Sequence, residues 1–350
     1  MTAKDEHPSV LSPYADGSKG TEGSFTIPKF RFESGATMAD MTVGYVTHGE
    51  LNSRRDNMVL VTPGTANTRH GFDGYIGRSE ALDPEQYFIV AVDAIGAGTS
   101  SKPADGLGGR FPHYTVRDMV RAQHEFLTHA FNLSATRLRA VVGASMGAFQ
   151  ALEWGIHFPD SVEDLVLLVP ASRASNVFKT VVGQMVRIIE LDQNWEEGVG
   201  WRSPSRGLET AGRHYLPWTV TDAYLDRLSA TQLEEELAAS GKRFAAWDAW
   251  SLIRRYQASS GHDVSQPFQG HMNEALRQVK AAALVMPSRT DRLLPPQLAR
   301  EIAQYVPGSR YTEIPSDCGH FGWRPIEGSV EKAFITQEVK TFLQRAGRTG

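Results

Sequence analysis

The chain has 350 residues, 41% of them hydrophobic and 22% charged, which suits one large domain with an insertion or two medium domains and excludes a disordered chain. Lys and Arg total 36 against 40 Asp and Glu, a net charge of -4 that offers no basic footprint, so neither nucleic acid nor a membrane is expected as a partner. No apolar run nears the roughly 20 residues that span a bilayer, and the first residues lack the basic start and apolar stretch of a secretion signal. The single cysteine, Cys318, excludes an internal disulfide. A cytoplasmic protein is expected.

Residues 1–24 are polar, Gly- and Pro-containing and without apolar period, as in a mobile arm. Phe25–Phe32 and Met41–His48 alternate as antiparallel strands joined at Glu33-Ser34-Gly35. Met58–Thr62 and Tyr87–Val92 are continuous apolar runs, the signature of strands buried on both faces. Thr115–Phe131 changes to helical spacing, Leu138–Val142 returns to a buried strand, Met146–Phe158 reads as a helix stopped by Pro159, and Val162–Val169 as another strand. This alternation predicts an α/β fold with a mostly parallel central sheet.

From 172 to 278 no buried strand is evident. Helical stretches at Val181–Leu191, Asp222–Leu228 and Thr231–Leu237 alternate with breaks. Five of the seven tryptophans fall here, Trp195, Trp201, Trp218, Trp247 and Trp250, and core packing accounts for most of them better than a pocket lining does. The buried-strand pattern resumes at Ala281–Met286, followed by a helix at Pro296–Tyr305, a strand at Tyr311–Ile314 and a terminal helix near Val330–Gln344. The organisation is therefore a core of residues 25–171 and 279–350 carrying a helical cap insertion of residues 172–278.

Gly143-Ala144-Ser145-Met146-Gly147 is a G-x-S-x-G between a buried strand and a helix, the context in which such a serine stands exposed on a tight turn. The flanking glycines let the helix pack without a Cβ clash, and the Met146 amide lies at a helix start, where an oxyanion is stabilised. A serine needs a base, and the base an orienting acid. In this fold type the order is Ser, acid, His. Asp291 and His320 each follow a predicted strand, on the sheet edge where Ser145 lies. Asp317 and Asp263 are rival acids. The second oxyanion donor is expected from the loop Thr62-Pro63-Gly64-Thr65-Ala66-Asn67, at either Gly64 or Thr65. Asp93-Ala94-Ile95-Gly96-Ala97-Gly98-Thr99-Ser100 lacks a phosphate-loop pattern and reads as a structural loop. No His or carboxylate set has zinc spacing, so no metal and no cofactor are expected. Cys318 reads as a small buried filler.

These three residues together resemble the α/β-hydrolase superfamily. Longer stretches are similar to the homoserine O-acetyltransferase family and its hydrolase-like branch. They include Ala81-Leu82-Asp83-Pro84, Thr115 through Gln123, Gln150-Ala151-Leu152-Glu153-Trp154 and Asp192-Gln193-Asn194-Trp195. The resemblance implies a nucleophile at Ser145, a base at His320, an orienter at Asp291, and acyl transfer through an acyl-enzyme. It also implies a homodimer built through the cap. The acetyltransferases pair homoserine's carboxylate with an arginine and its amine with an aspartate. Ungapped counting puts Val186 and Phe321 at those positions. Apolar groups there leave both charges of a zwitterion unpaired, at a cost of several kcal/mol, so homoserine is not the expected acceptor. The expected activity is that of a serine acyl hydrolase on a small, mostly uncharged ester, lactone or amide. Its alternative is an acyl-CoA-dependent O-acyltransferase with another acceptor. Val186 and Phe321 are expected in the substrate pocket.

Overall fold

A computed structural model of the chain describes residues 20–133, 137–196 and 202–345. Eight strands form one sheet: β1 (Thr21–Arg31), β2 (Thr37–His48), β3 (Met58–Thr62), β4 (Phe88–Val92), β5 (Leu138–Ala144), β6 (Val162–Leu168), β7 (Ala282–Met286) and β8 (Arg310–Tyr311). Their order is β1-β2-β4-β3-β5-β6-β7-β8, with β2 antiparallel to both its neighbours and the remaining pairs parallel. Period-two alternation sends Met58 and Leu60 of β3 into the core on one face, and Val59 and Val61 into the core on the other. The first face is covered by helices α1 (Val116–Phe131), α2 (Met146–His157) and α9 (Pro296–Tyr305), the second by α10 (Val330–Leu343) and a short 3-10 turn, Arg69–Tyr75.

Local chemistry fixes the helix ends. Thr115 accepts from the Asp118 amide while Asp118 accepts from the Thr115 amide, a reciprocal box at the start of α1, and Asn132 in the left-handed region ends it. At the sheet margin the sequence reading is corrected. Residues 1–19 of the expected arm lie outside the described residues, but Thr21–Ser24 are strand, since β1 keeps register with β2 from Thr21 opposite Thr47. An edge strand needs no apolar alternation, and Gly23 lets the chain pass against the Tyr45 ring, where a Cβ would stand 2.4 Å from the ring.

Between β6 and β7 the chain forms α3 (Asn176–Glu190), α4 (Ser205–Thr219), α5 (Asp222–Asp226), α6 (Ala230–Ala245), α7 (Ala249–Ser260) and α8 (Met272–Leu276). Helices α4 and α7 were not evident in the sequence. Helix α4 carries Gly207, Gly212 and Pro217, residues that break a helical pattern. The glycines serve tertiary contact instead, since a Cβ on Gly212 would lie 2.5 Å from the Ser240 carbonyl of α6. The insertion joins the core through a paired neck, Ala174 amide to His262 carbonyl and Val264 amide to Ser172 carbonyl, while α8 packs against α9. This neck stands at residues 172–174 and 262–264. Among the described residues no helix is long and apolar enough to cross a membrane.

His262 in this neck is fully buried. Its ring stacks on Phe149 with centroids 4.2 Å apart, Nε2 donates to the Ala171 carbonyl at 3.2 Å, and Nδ1 lies 3.6 Å from Glu153. Burial holds its pKa below the ordinary 6.5 despite the opposing pull of Glu153. The unfolded chain therefore binds a proton near 6.5 that the folded chain refuses, so stability falls as pH drops below 6.5 toward the folded value. The urea midpoint of the wild type is expected to decrease between pH 7.5 and 5.5, and that of His262→Gln to decrease less. Equal decreases would exclude this source.

Candidate active site

Ser145 sits between the end of β5 and the start of α2 with φ 57° and ψ -122°. A non-glycine residue there stores about 1–3 kcal/mol of strain, and it persists because the surroundings leave no alternative. The Ser145 amide donates to the Leu168 carbonyl of β6 at 3.0 Å, and its carbonyl accepts from the Phe149 amide in α2 at 3.0 Å. A Cβ on Gly147 would stand 2.3 Å from the Thr62 carbonyl oxygen, and one on Gly143 the same distance from the Gly147 backbone. The Thr62 hydroxyl lies between these segments, 2.9 Å from the Gly147 carbonyl and 3.2 Å from that of Val142. This crowding is why both flanks are glycine.

The structure brings Ser145, His320 and Asp291 together. The Ser145 hydroxyl lies 3.0 Å from His320 Nε2, and His320 Nδ1 lies 2.6 Å from Asp291 Oδ2. The second Asp291 oxygen accepts from the Leu293 and Leu294 amides, both at 2.9 Å, which leaves Oδ2 to face the ring. With a carboxylate at Nδ1, the imidazole proton belongs there and Nε2 is left to accept from the serine. His320 and Asp291 are each 3% exposed, so water competes little for these bonds. Gly319, just before the histidine, has φ 59°, and a Cβ there would lie 2.7 Å from the Thr219 carbonyl, so the loop turns tightly beneath the insertion.

The rival acids have other partners. Asp317 is more than half exposed and pairs with Arg289 at 3.2 Å. Asp263 accepts from the amide and hydroxyl of Ser265. Cys318 is half-buried rather than buried as expected, and its thiol is pushed up chiefly by desolvation. The loop from Asp93 is structural: its carboxylate accepts from the Arg69 and Thr99 amides.

Beside Ser145 lies a narrow cleft. Its floor is Gly64, Thr65, Ala66 and Asn67; Phe321 and Trp323 line the His320 side; Tyr215, Ser240, Arg243, Phe244 and Tyr256 reach in from the insertion. Phe321 is among the residues that line this cleft. Val186 is not: it sits half-buried on α3, packed against the main core. Counting back from Trp195 gives a position along the helix but not the face that meets the cleft. One cation does reach the cleft: Arg243 lines it, its guanidinium 5.8 Å from the centre of the Phe321 ring. The Tyr215 and Tyr256 hydroxyls bond to each other, and desolvation raises both phenols well above their usual range, so they remain neutral. Of the insertion's tryptophans none described lines this cleft; Trp195 packs against Trp250 with ring centres 4.7 Å apart and planes inclined by 41°, and Trp201 lies outside the described residues. Arg243, Tyr215 and Tyr256 were missed because nothing local marks which face of an insertion helix meets the core.

Residues 57–323 match the family model described as alpha/beta hydrolase fold. The chain is 30% identical to a probable acyltransferase of Methanothermobacter thermautotrophicus over 86% of its own length and 93% of that protein. It is also 30% identical to a homoserine O-acetyltransferase of Trichormus variabilis, over 90% and 91%. A solved acetylester hydrolase from Corynebacterium glutamicum superposes with a TM-score of 0.86 at 26% identity, covering 92% of this chain and 95% of that one. On this fold and these relationships, the chain belongs to the alpha/beta hydrolase family, as an enzyme of the group that includes homoserine O-acetyltransferases.

Proposed function

We propose that the chain is a serine-dependent acyl hydrolase for small esters, working through an acyl-enzyme. The observation that carries this reading is the continuous hydrogen-bonded chain from the Ser145 hydroxyl through His320 to Asp291 at the mouth of the cleft. The Ser145 oxygen attacks the ester carbonyl while its proton passes to His320 Nε2. Asp291 holds the imidazolium that forms. Negative charge on the carbonyl oxygen meets the Met146 amide and an amide of the Gly64–Thr65 loop, none of which has an acceptor among the described residues. His320 returns the proton to the departing alkoxide, leaving an ester on Ser145. Water, deprotonated by the same imidazole, then releases the acid and restores the serine.

A second reading, transfer of the acyl group from acyl-CoA to an alcohol other than homoserine, is favoured by the acyltransferase relatives and by the cation Arg243 in the cleft. Both readings share the first half-reaction and differ in whether an alcohol outcompetes water. Nitrophenyl acetate and acetyl-CoA, each supplied with and without a panel of alcohols, separate them. Hydrolysis predicts turnover of the nitrophenyl ester independent of any alcohol. CoA release that requires an alcohol would favour transfer instead.

A further inference from the structure

Arg255 on α7 is 0% exposed, yet none of its five N–H groups meets a carboxylate. Each reaches a backbone carbonyl. Nε donates to Thr65 at 2.6 Å, Nη2 to Gly64 at 2.8 Å and Asn67 at 3.1 Å, and Nη1 to Ile95 at 3.1 Å and Ala94 at 3.3 Å. An arginine has five donors in a fixed planar fork, so the count is complete and no other side chain could reproduce it. One helical turn on, the Ser259 hydroxyl lies 2.9 Å from that of Thr65 and donates to the Arg255 carbonyl. Helix α7 therefore grips the Gly64–Asn67 loop at four points.

In a trans peptide the C=O and the N–H point in opposite directions. A guanidinium on the Gly64 and Thr65 carbonyls therefore turns the next amides, those of Thr65 and Ala66, away from itself. Neither amide has an acceptor among the described residues, and both residues line the cleft beside Ser145. A hydrogen bond to the carbonyl also polarises its peptide and makes the N–H a stronger donor. A fixed cation behind the loop favours negative charge in front of it.

We propose that Arg255 is the positioning residue of the oxyanion loop, through which the helical insertion sets the aim and strength of the Thr65 amide. The inference rests on the serine mechanism above and deepens it: the insertion holds part of the catalytic geometry as well as roofing the cleft. Of the two candidate donors, Thr65 is the one whose peptide the insertion holds; the Gly64 amide belongs to the peptide that Gln150 of α2 holds through the Pro63 carbonyl.

The test uses Arg255→Lys, which keeps a cation but loses the fork, and Arg255→Met, which loses both. Substrate turnover is compared with inhibition by a trifluoromethyl ketone of the best ester. Ser145 adds to that ketone, its proton passes to His320, and the former carbonyl oxygen becomes a stable oxyanion. Arg255→Lys is expected to keep KM within threefold, to lose about a hundredfold in kcat, and to bind the ketone weaker by a similar factor. Arg255→Met is expected to lose more of both. A folded Arg255→Lys with wild-type kcat, or with a kcat loss that ketone affinity does not share, would overturn the assignment. Failure of both variants to fold would make Arg255 a folding determinant and overturn it equally. If wild-type protein turns over esters but is not inhibited by the ketone at all, the serine mechanism itself fails, whatever the variants do.

Discussion

Replacing Asp291 by Asn is expected to lower kcat for the best ester about 10⁴-fold, with KM and thermal midpoint little changed. The reason lies in the two amides that face one carboxylate oxygen. Leu293 and Leu294 both donate to Asp291 Oδ1, so the oxygen of an asparagine must take that place and its NH₂ must face His320. A donor at Nδ1 forces the imidazole proton onto Nε2. That nitrogen then donates toward Ser145 instead of accepting from it, and general-base action is lost while the side chains keep their positions. Steady-state kinetics and a crystal structure of Asp291→Asn check both halves. A variant within tenfold of wild type would show that Asp291 does not set the tautomer.

Ser145→Ala is expected to lose about 10⁶-fold in kcat, and Ser145→Ala with His320→Ala no more than either change alone. Groups that pass one proton act as a unit, so removing a second member of a broken chain changes little. A burst of nitrophenol of about one equivalent per chain is expected in the wild type and is expected to be absent in both variants. Additive losses would mean that His320 works through some other nucleophile. Removing the hydroxyl also relieves no backbone strain, because φ 57° at residue 145 is imposed by Gly143, Gly147 and Thr62 rather than by the side chain. The alanine protein is therefore expected to unfold at nearly the same urea concentration as wild type.

The sheet was legible in the sequence because strands covered on both faces have little freedom of composition. Met58–Thr62 is a continuous apolar run for that reason, and both its ends match the strand. The serine turn was legible because its crowding admits only glycine at 143 and 147. Asp291 and His320 could be placed because parallel strands deliver their following loops to one edge. The insertion was harder to read. Its helices touch the core through surfaces fixed by crossing geometry, so the glycines and proline of α4 read as breaks, and Val186 was assigned to a cleft that its helix face does not meet. Arg255 shows the limit most clearly. Beside Arg254 in the sequence it looks like one of two surface cations, and only the meeting of α7 with the loops at 64–67 and 94–95 makes it a buried clamp.

The most direct measurement is mass mapping of the protein after reaction with a fluorophosphonate that blocks ester turnover. One phosphonyl group per chain is predicted on the peptide that contains Ser145. It should be absent in Ser145→Ala, and its rate of attachment should be greatly slowed in His320→Ala. Complete loss of turnover with Ser145 unmodified, or full activity with Ser145 fully modified, would contradict the assignment of this serine as the nucleophile.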